Sequence, residues 1–181
     1  MDEISDTENS QGVLGVCEIP KEASLEKLSA KEGLIIATDR IQDPGNLGTI
    51  VRTAVWFGAS AILVGKGSVD LFHPKVVRST AGATGSLSYL NSSLNEDLEK
   101  FEKAGWNILL LDGNIGATPI DQIKLSKKTI LVVGNEANGI DQKLTIPNRK
   151  RVLIPATEKN RSVESLNAAI AMSIALYQLS R

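Results

Sequence analysis

Three polar segments hold the residue types that could bind or act on a ligand. The first is residues 39–52, DRIQDPGNLGTIVR. Its Asp43-Pro44-Gly45 turn ends an apolar run, and Asn46 is placed to cap the helix that follows. Arg52 lies six residues further on, so the two side chains can face one mouth. Taken locally, the same residues also describe a capped helix with a surface Arg. The second segment is residues 134–140, GNEANGI, in which Gly134 and Gly139 permit close backbone approach to a ligand and Glu136 is the single acid. The third is residues 154–167, IPATEKNRSVESLN, where Ser162 with Glu164 or Ser165 offers capping chemistry. Ser165, Leu166 and Asn167 are expected in the first turns of a helix whose amides could hold a polar or anionic group.

Familiar alternatives fit these segments poorly. No GxGxxG fingerprint is present, and Gly65-Lys66-Gly67-Ser68 matches only the end of a phosphate-binding P-loop, its upstream glycine missing. Ser165 has no GxSxG elbow around it. The single His73, which follows a different strand, reads as a structural or surface residue.

The elements that must position these segments are short apolar runs alternating with amphipathic stretches. Residues 33–38, 61–65, 107–111, 129–134 and 152–155 are rich in Leu, Ile and Val, with little polar alternation. Such runs suit strands buried on both faces of a mostly parallel sheet. Helical patterns at 47–57, 74–81 and 96–104 lie between them, which predicts an α/β fold with helices on both faces. Residues 11–18 could add an edge strand. Near the C-terminus, Val163, Leu166, Ile170, Ile174 and Tyr177 form one apolar stripe, while Ala169, Met172, Leu176 and Leu179 form another. A helix apolar on two faces is buried on two sides: one covers the sheet and the other points to a second subunit. In open sheets of this kind functional loops gather at the carboxyl ends of the strands, which is where all three polar segments fall.

The composition narrows the chemistry. Among 181 residues, 20 Lys and Arg oppose 21 Asp and Glu, a net charge of −1, which argues against nucleic-acid binding by bulk positive charge. The charge is unevenly spread: residues 1–30 carry −5 and residues 141–161 carry +4. A lone Cys17 and a lone His73 cannot form a Cys/His zinc site or a disulfide framework. No apolar run reaches the ~18 residues of a membrane span, and the acidic start is not a signal peptide. These features predict a cytoplasmic protein with no membrane and no metal partner.

Taken together and in order, the segments DPGNLGTIVRTAVWFGA, ILVVGNEANGI and VLIPATEKNRSVESLNAAIAMSIALYQ resemble the three motifs of the SpoU family. That family comprises S-adenosylmethionine-dependent RNA ribose 2′-O-methyltransferases of the SPOUT superfamily, and the resemblance covers roughly residues 11–180. It implies a SPOUT-type fold with a C-terminal deep trefoil knot, although chain connections do not ordinarily thread. It also implies a homodimer, an RNA substrate (rRNA or tRNA) and S-adenosylmethionine as cofactor. Carried over by position, the motif residues assigned to catalysis are Asn46, Arg52, Glu136, Ser165 and Asn167. The matching cofactor pocket involves Leu111, Asp112, Gly113, Gly134, Ile154, Ala156 and Leu166. Two departures stand out: Ala156 replaces a common Met after Ile-Pro, and the loop to Ser165 is a few residues longer.

By the same resemblance, residues 11–181 form the catalytic domain and residues 1–10 an acidic linker or tail. The small N-terminal RNA-binding domain of many relatives is expected to be absent. The C-terminal extension of some transfer-RNA enzymes is likewise expected to be absent, which favours ribosomal RNA. Two other classes are compatible with parts of the pattern: a non-catalytic RNA-binding SPOUT relative, which would lose one or more of the five polar motif residues, and a dinucleotide-binding domain, which would need GxGxxG.

Overall fold

The structure, a computed structural model, describes residues 15–113, 116–135, 137–157 and 164–181. Seven strands form one all-parallel sheet: β1 (Gly33–Asp39), β2 (Ala61–Gly65), β3 (Ser88–Ser92), β4 (Asn107–Leu111), β5 (Thr118–Pro119), β6 (Lys128–Gly134) and β7 (Lys150–Leu153). Their order across the sheet is β3-β2-β1-β6-β4-β7-β5. Five helices accompany them: α1 (Leu25–Ser29), α2 (Pro44–Trp56), α3 (Pro74–Ser79), α4 (Leu94–Lys103) and α5 (Ala168–Leu179).

The continuous apolar runs form strands because both sheet faces are covered. Successive side chains point to opposite faces. Leu34, Ile36, Ile62, Val64, Leu131 and Val133 therefore pack beneath α2, α3 and α5. Ile35, Ala37, Leu63, Ile130 and Val132 pack on the other side, with Leu98 and Phe101 of α4.

The structure changes several sequence-derived expectations. The helix over 47–57 begins earlier, at Pro44, because Asp43 and not Asn46 is its N-cap: the Asp43 side chain accepts from Asn46 N at 2.7 Å. Pro suits the first helical position, where its missing N–H goes unused. The expected edge strand at 11–18 does not form in its described part, since residues 15–18 are exposed and irregular. The sheet edge at β3 is covered slightly later in the chain, where Ala23 N donates to Tyr89 O at 2.8 Å and Tyr89 Oη donates to Pro20 O at 2.8 Å. Ser165, Leu166 and Asn167 lie before α5, not inside its first turns, and Asn167 is the N-cap.

Of the two apolar stripes on the last helix, Ala169, Met172, Leu176 and Leu179 are buried. Leu166, Ile170, Ile174 and Tyr177 are 48, 51, 38 and 46% exposed. Val163 lies outside the described residues. No described helix is long and apolar enough to cross a membrane.

Candidate active site

Two helix caps meet at the carboxyl edge of the sheet. With Asp43 capping α2, the Asn46 side chain is released from that duty, and its Oδ1 accepts from Asn167 Nδ2 at 2.9 Å. The Asn167 Oδ1 is engaged in turn with the first amides of α5, Ala169 N at 3.0 Å and Ile170 N at 3.2 Å. One amide side chain thus ends α5 and ties it to the first turn of α2, 121 residues away in sequence. The contact between the helices continues through Thr53 Oγ1 and Ser173 Oγ, 3.2 Å apart, and through the edge-on rings of Phe57 and Tyr177. Arg52 is exposed on α2, and no salt bridge to it forms among the described residues. Ser165 is exposed immediately before the cap. Glu136 lies outside the described residues.

The loop that carries position 136 is nevertheless firmly anchored. Asn135 Oδ1 accepts from Ala137 N at 2.9 Å and Asn138 N at 3.1 Å, and its Nδ2 donates to Arg40 O at 3.0 Å. Buried Asp39, at the end of β1, accepts from Asp141 N at 2.7 Å and from Arg40 Nε and Nη2, both at 3.1 Å. Arg40 also donates to Gly139 O at 3.3 Å and holds a positive φ of 58°. The Asp39 hydrogen bond raises the guanidinium pKa further, so this latch stays charged. Asp39, Arg40, Asp43 and Asn135 are the structural partners that the sequence reading missed. The available signal was an Asp at the end of a wholly apolar strand, because a buried carboxylate requires partners.

Gly134 has a different immediate role from opening space to a ligand. A Cβ there would overlap the backbone of Gly139 and Ile140, so the chain itself passes over this position. Of the other positions matched to the cofactor pocket, Leu111, Asp112, Gly113, Ile154 and Ala156 lie at or just beyond the ends of the adjacent strands β4 and β7, and Leu166 lies just before α5. Asp112 N donates to Val152 O at 2.9 Å, and Asp112 Oδ2 accepts from Arg151 Nε at 2.9 Å. Leu111 and Ile154 are half-buried there, Ala156 and Leu166 are exposed, and the Cα of Gly113 faces open space.

Two arginines of the basic stretch at 141–161 are occupied within the fold. Arg149 is buried against Glu102 in a two-pronged ion pair at 3.0 Å, and Arg151 is held by Asp112. His73 caps α3, its Nδ1 accepting from Lys75 N at 3.2 Å, which is a structural role.

Comparison with known proteins agrees with this arrangement. A family model described as the SpoU rRNA Methylase family matches residues 33–177. The chain is 32% identical over 176 residues to a Bacillus subtilis 23S rRNA guanosine 2′-O-methyltransferase, covering 97% of this chain and 67% of that protein. A crystal structure described as an AdoMet-bound rRNA methyltransferase from Sinorhizobium meliloti superposes with a TM-score of 0.77 and 31% identity, covering 88% of this chain and 60% of the other. The SpoU methyltransferase AviRb from Streptomyces viridochromogenes, solved with AdoMet, gives a TM-score of 0.75 and 28% identity, covering 88% and 64%. The chain thus spans about two thirds or less of these relatives' lengths. The family match runs from β1 nearly to the end of α5 and includes all three polar segments, and on that extent the chain belongs to the SpoU rRNA methylase family.

Proposed function

We propose that this chain transfers the methyl group of S-adenosylmethionine to a ribose 2′-hydroxyl of structured RNA, with ribosomal RNA ahead of transfer RNA as the substrate class. The observation that carries the reading is the Asn46–Asn167 hydrogen bond, which joins the first and third motifs beside an exposed Arg52. The B. subtilis relative supports ribosomal RNA, and the two AdoMet-bound structures support the cofactor. When bound, that cofactor supplies a methyl on a positively charged sulfur, already activated for transfer.

Leu111, Asp112, Gly113, Ile154 and Ala156 at the ends of β4 and β7 would hold it together with Leu166 before α5, with Gly134 shaping the floor through the turn that returns over it. What remains for the protein is alignment and relief of the hydroxyl proton. Arg52 presents N–H donors and no acceptor. It therefore serves as a donor that stabilises negative charge developing on the 2′-oxygen, while the hydroxyl proton passes to solvent water. The Asn46–Asn167 pair fixes the edge against which the ribose lies, with Glu136 and Ser165 completing the polar set.

The test is transfer of tritiated methyl from S-adenosylmethionine to RNA of a deletion strain, with the modified position mapped and cofactor binding followed by calorimetry. Label is expected in ribosomal RNA, and Arg52→Ala should lose transfer while retaining cofactor affinity. Label confined to transfer RNA would overturn the substrate class. Near-normal turnover of Arg52→Ala would remove Arg52 from the mechanism.

The reading extends to assembly, path and location. A homodimer is supported by the exposed stripe of α5 and by Trp56, 81% exposed one turn beyond Arg52. Solution mass tests it. A threaded C-terminal path is supported by the family match over residues 33–177, and an experimental trace of residues 156–168 tests it. A cytoplasmic location is supported by the class of substrate and checked by cell fractionation.

A further inference from the structure

We infer that Asp39 is a positioning residue for methyl transfer: its bond to Asp141 N holds the loop of the second motif in register with the β1–α2 loop of the first. This rests on the proposed function and deepens it by naming what aligns the two halves of the site. Asp39 closes β1 beside Gly134, its register partner at the end of β6. The two loops therefore leave the sheet side by side. Strand pairing between β1 and β6 stops at these residues, and beyond them side chains must keep the loops together.

Asp39 is 5% exposed, so water is a poor substitute for its protein partners. Its Oδ2 accepts from Asp141 N at 2.7 Å, a short charge-assisted bond to the returning limb of the second loop. Arg40 adds to this tie. Its Nε and Nη2 donate to Asp39 Oδ1 and Oδ2, and the same Nη2 reaches Gly139 O at 3.3 Å. The outgoing limb is fastened as well, since Asn135 Nδ2 donates to Arg40 O at 3.0 Å. Both limbs of the loop are thus tied to residues 39 and 40, and position 136 falls between the ties in sequence.

On their other side the same two residues lead to α2 with little slack. Ile41 is fully buried; its N–H donates to Ser68 Oγ at 3.1 Å, and its carbonyl accepts from Val69 N at 2.8 Å. A Cβ on Gly67 would stand 3.1 Å from Arg40 Cγ, so the turn after β2 backs the Arg40 stem. Asp43 then caps the helix that bears Asn46 and Arg52. Under the proposed function the second loop belongs to the cofactor side, through Gly134, and α2 to the RNA side. A misplacement of about 1 Å between reacting groups costs on the order of a hundredfold in rate. Loss of the Asp39 tie should therefore slow transfer without loosening the hold on RNA.

The test compares the intact parent chain with Asp39→Ala and Asp39→Asn, using S-adenosylmethionine and ribosomal RNA of a deletion strain. Asp39→Asn keeps one oxygen that can accept from Asp141 N, and Asp39→Ala keeps none. In Asp39→Ala we expect kcat to fall about tenfold or more, with KM for RNA unchanged. Amides of residues 137–141 should exchange about tenfold faster in the cofactor-free protein, with those of α4 unchanged. Asp39→Asn should recover part of each loss. An unchanged kcat, a change confined to KM, unchanged exchange, or equal losses in the two variants would overturn the inference. If Asp39→Ala does not fold, Asn135→Asp takes its place with the same expectations, because it keeps the oxygen facing Ala137 N and Asn138 N and loses the donor to Arg40 O. Calorimetric stoichiometry with S-adenosylmethionine counts the competent chains, so a smaller folded fraction is not read as a lower kcat. A parent chain that transfers no methyl to this RNA counts against the proposed function, and the hold of Asp39 on the loop is then decided by exchange alone.

Discussion

Asn167 performs two tasks with two ends of one amide, and they can be separated chemically. Its oxygen caps α5, and its nitrogen donates to Asn46. Asn167→Asp keeps the capping oxygens and loses the donor, so thermal stability should stay close to the parent while methyl transfer falls. Asn167→Ala loses both, and loss of such a cap costs about 1 kcal/mol. Equal activity of parent and Asn167→Asp in a transfer assay would show that the bridge has no catalytic consequence. Gly134 poses the opposite case, a residue needed for what it lacks. In Gly134→Ala the methyl must displace the Gly139–Ile140 backbone, not a flexible side chain. We expect destabilisation of about 1–3 kcal/mol, measured by denaturant titration, with the 135–141 loop the first to exchange its amides. Neither role could be read from the sequence. The three motifs marked these positions as important, but which atom faces which partner depends on a contact spanning 121 residues and on how tightly residues 139–140 return over position 134.

At the scale of elements, legibility followed burial. Strands β1, β2, β4 and β6 were plain because wholly apolar runs of this length have nowhere to go but a two-sided sheet. Strand β3, SYLNS, was missed because it lies at the sheet edge with only Tyr89 and Ser92 buried. Strand β5 is only two residues long. The start of α2 was misjudged because Asp43 and Asn46 are both good caps by residue type, and Pro44 decides between them by suiting the first helical position. At 141–161 a charge count does not distinguish a solvated Arg from one paired inside the fold. Arg149 is almost fully buried, and its guanidinium is held by Glu102 on α4 and by Leu144 O at 3.3 Å. Removing Glu102 therefore leaves a buried charge without its counter-ion. Glu102→Ala should cost about 3 kcal/mol and lower the melting temperature, whereas Lys100→Ala on the same helix, whose bond to Asp97 is exposed, should change it little. Similar losses for the two variants would show that the Arg149 pair is not structurally important.

For the whole molecule the decisive feature is an apolar surface left uncovered. Ile170, Ile174 and Tyr177 share one side of the last helix with Leu166 exposed just before it, and Trp56 stands exposed on α2, the helix packed beside it through Thr53–Ser173 and Phe57–Tyr177. Exposed large apolar residues are ordinary when scattered, but a contiguous group rimmed by polar residues marks a contact surface. A second copy of the chain is the occupant that suits it, because a two-fold contact lets one self-complementary patch cover itself. The patch begins at Leu166, next to the Asn46–Asn167 bridge, so covering it would also withdraw that edge of the site from water and strengthen the hydrogen bonds there. The double substitution Ile170→Asp and Ile174→Asp places charges in the middle of the stripe without touching the buried Met172 and Leu176. Sedimentation equilibrium should give the mass of two chains for the parent and of one for this variant, with the far-ultraviolet spectrum preserved. If covering the patch completes the site, transfer activity should fall with the dimer and return partly at high protein concentration. A parent chain that sediments as a monomer would exclude the shared site, and a fully active monomeric variant would show that each chain carries out the reaction alone.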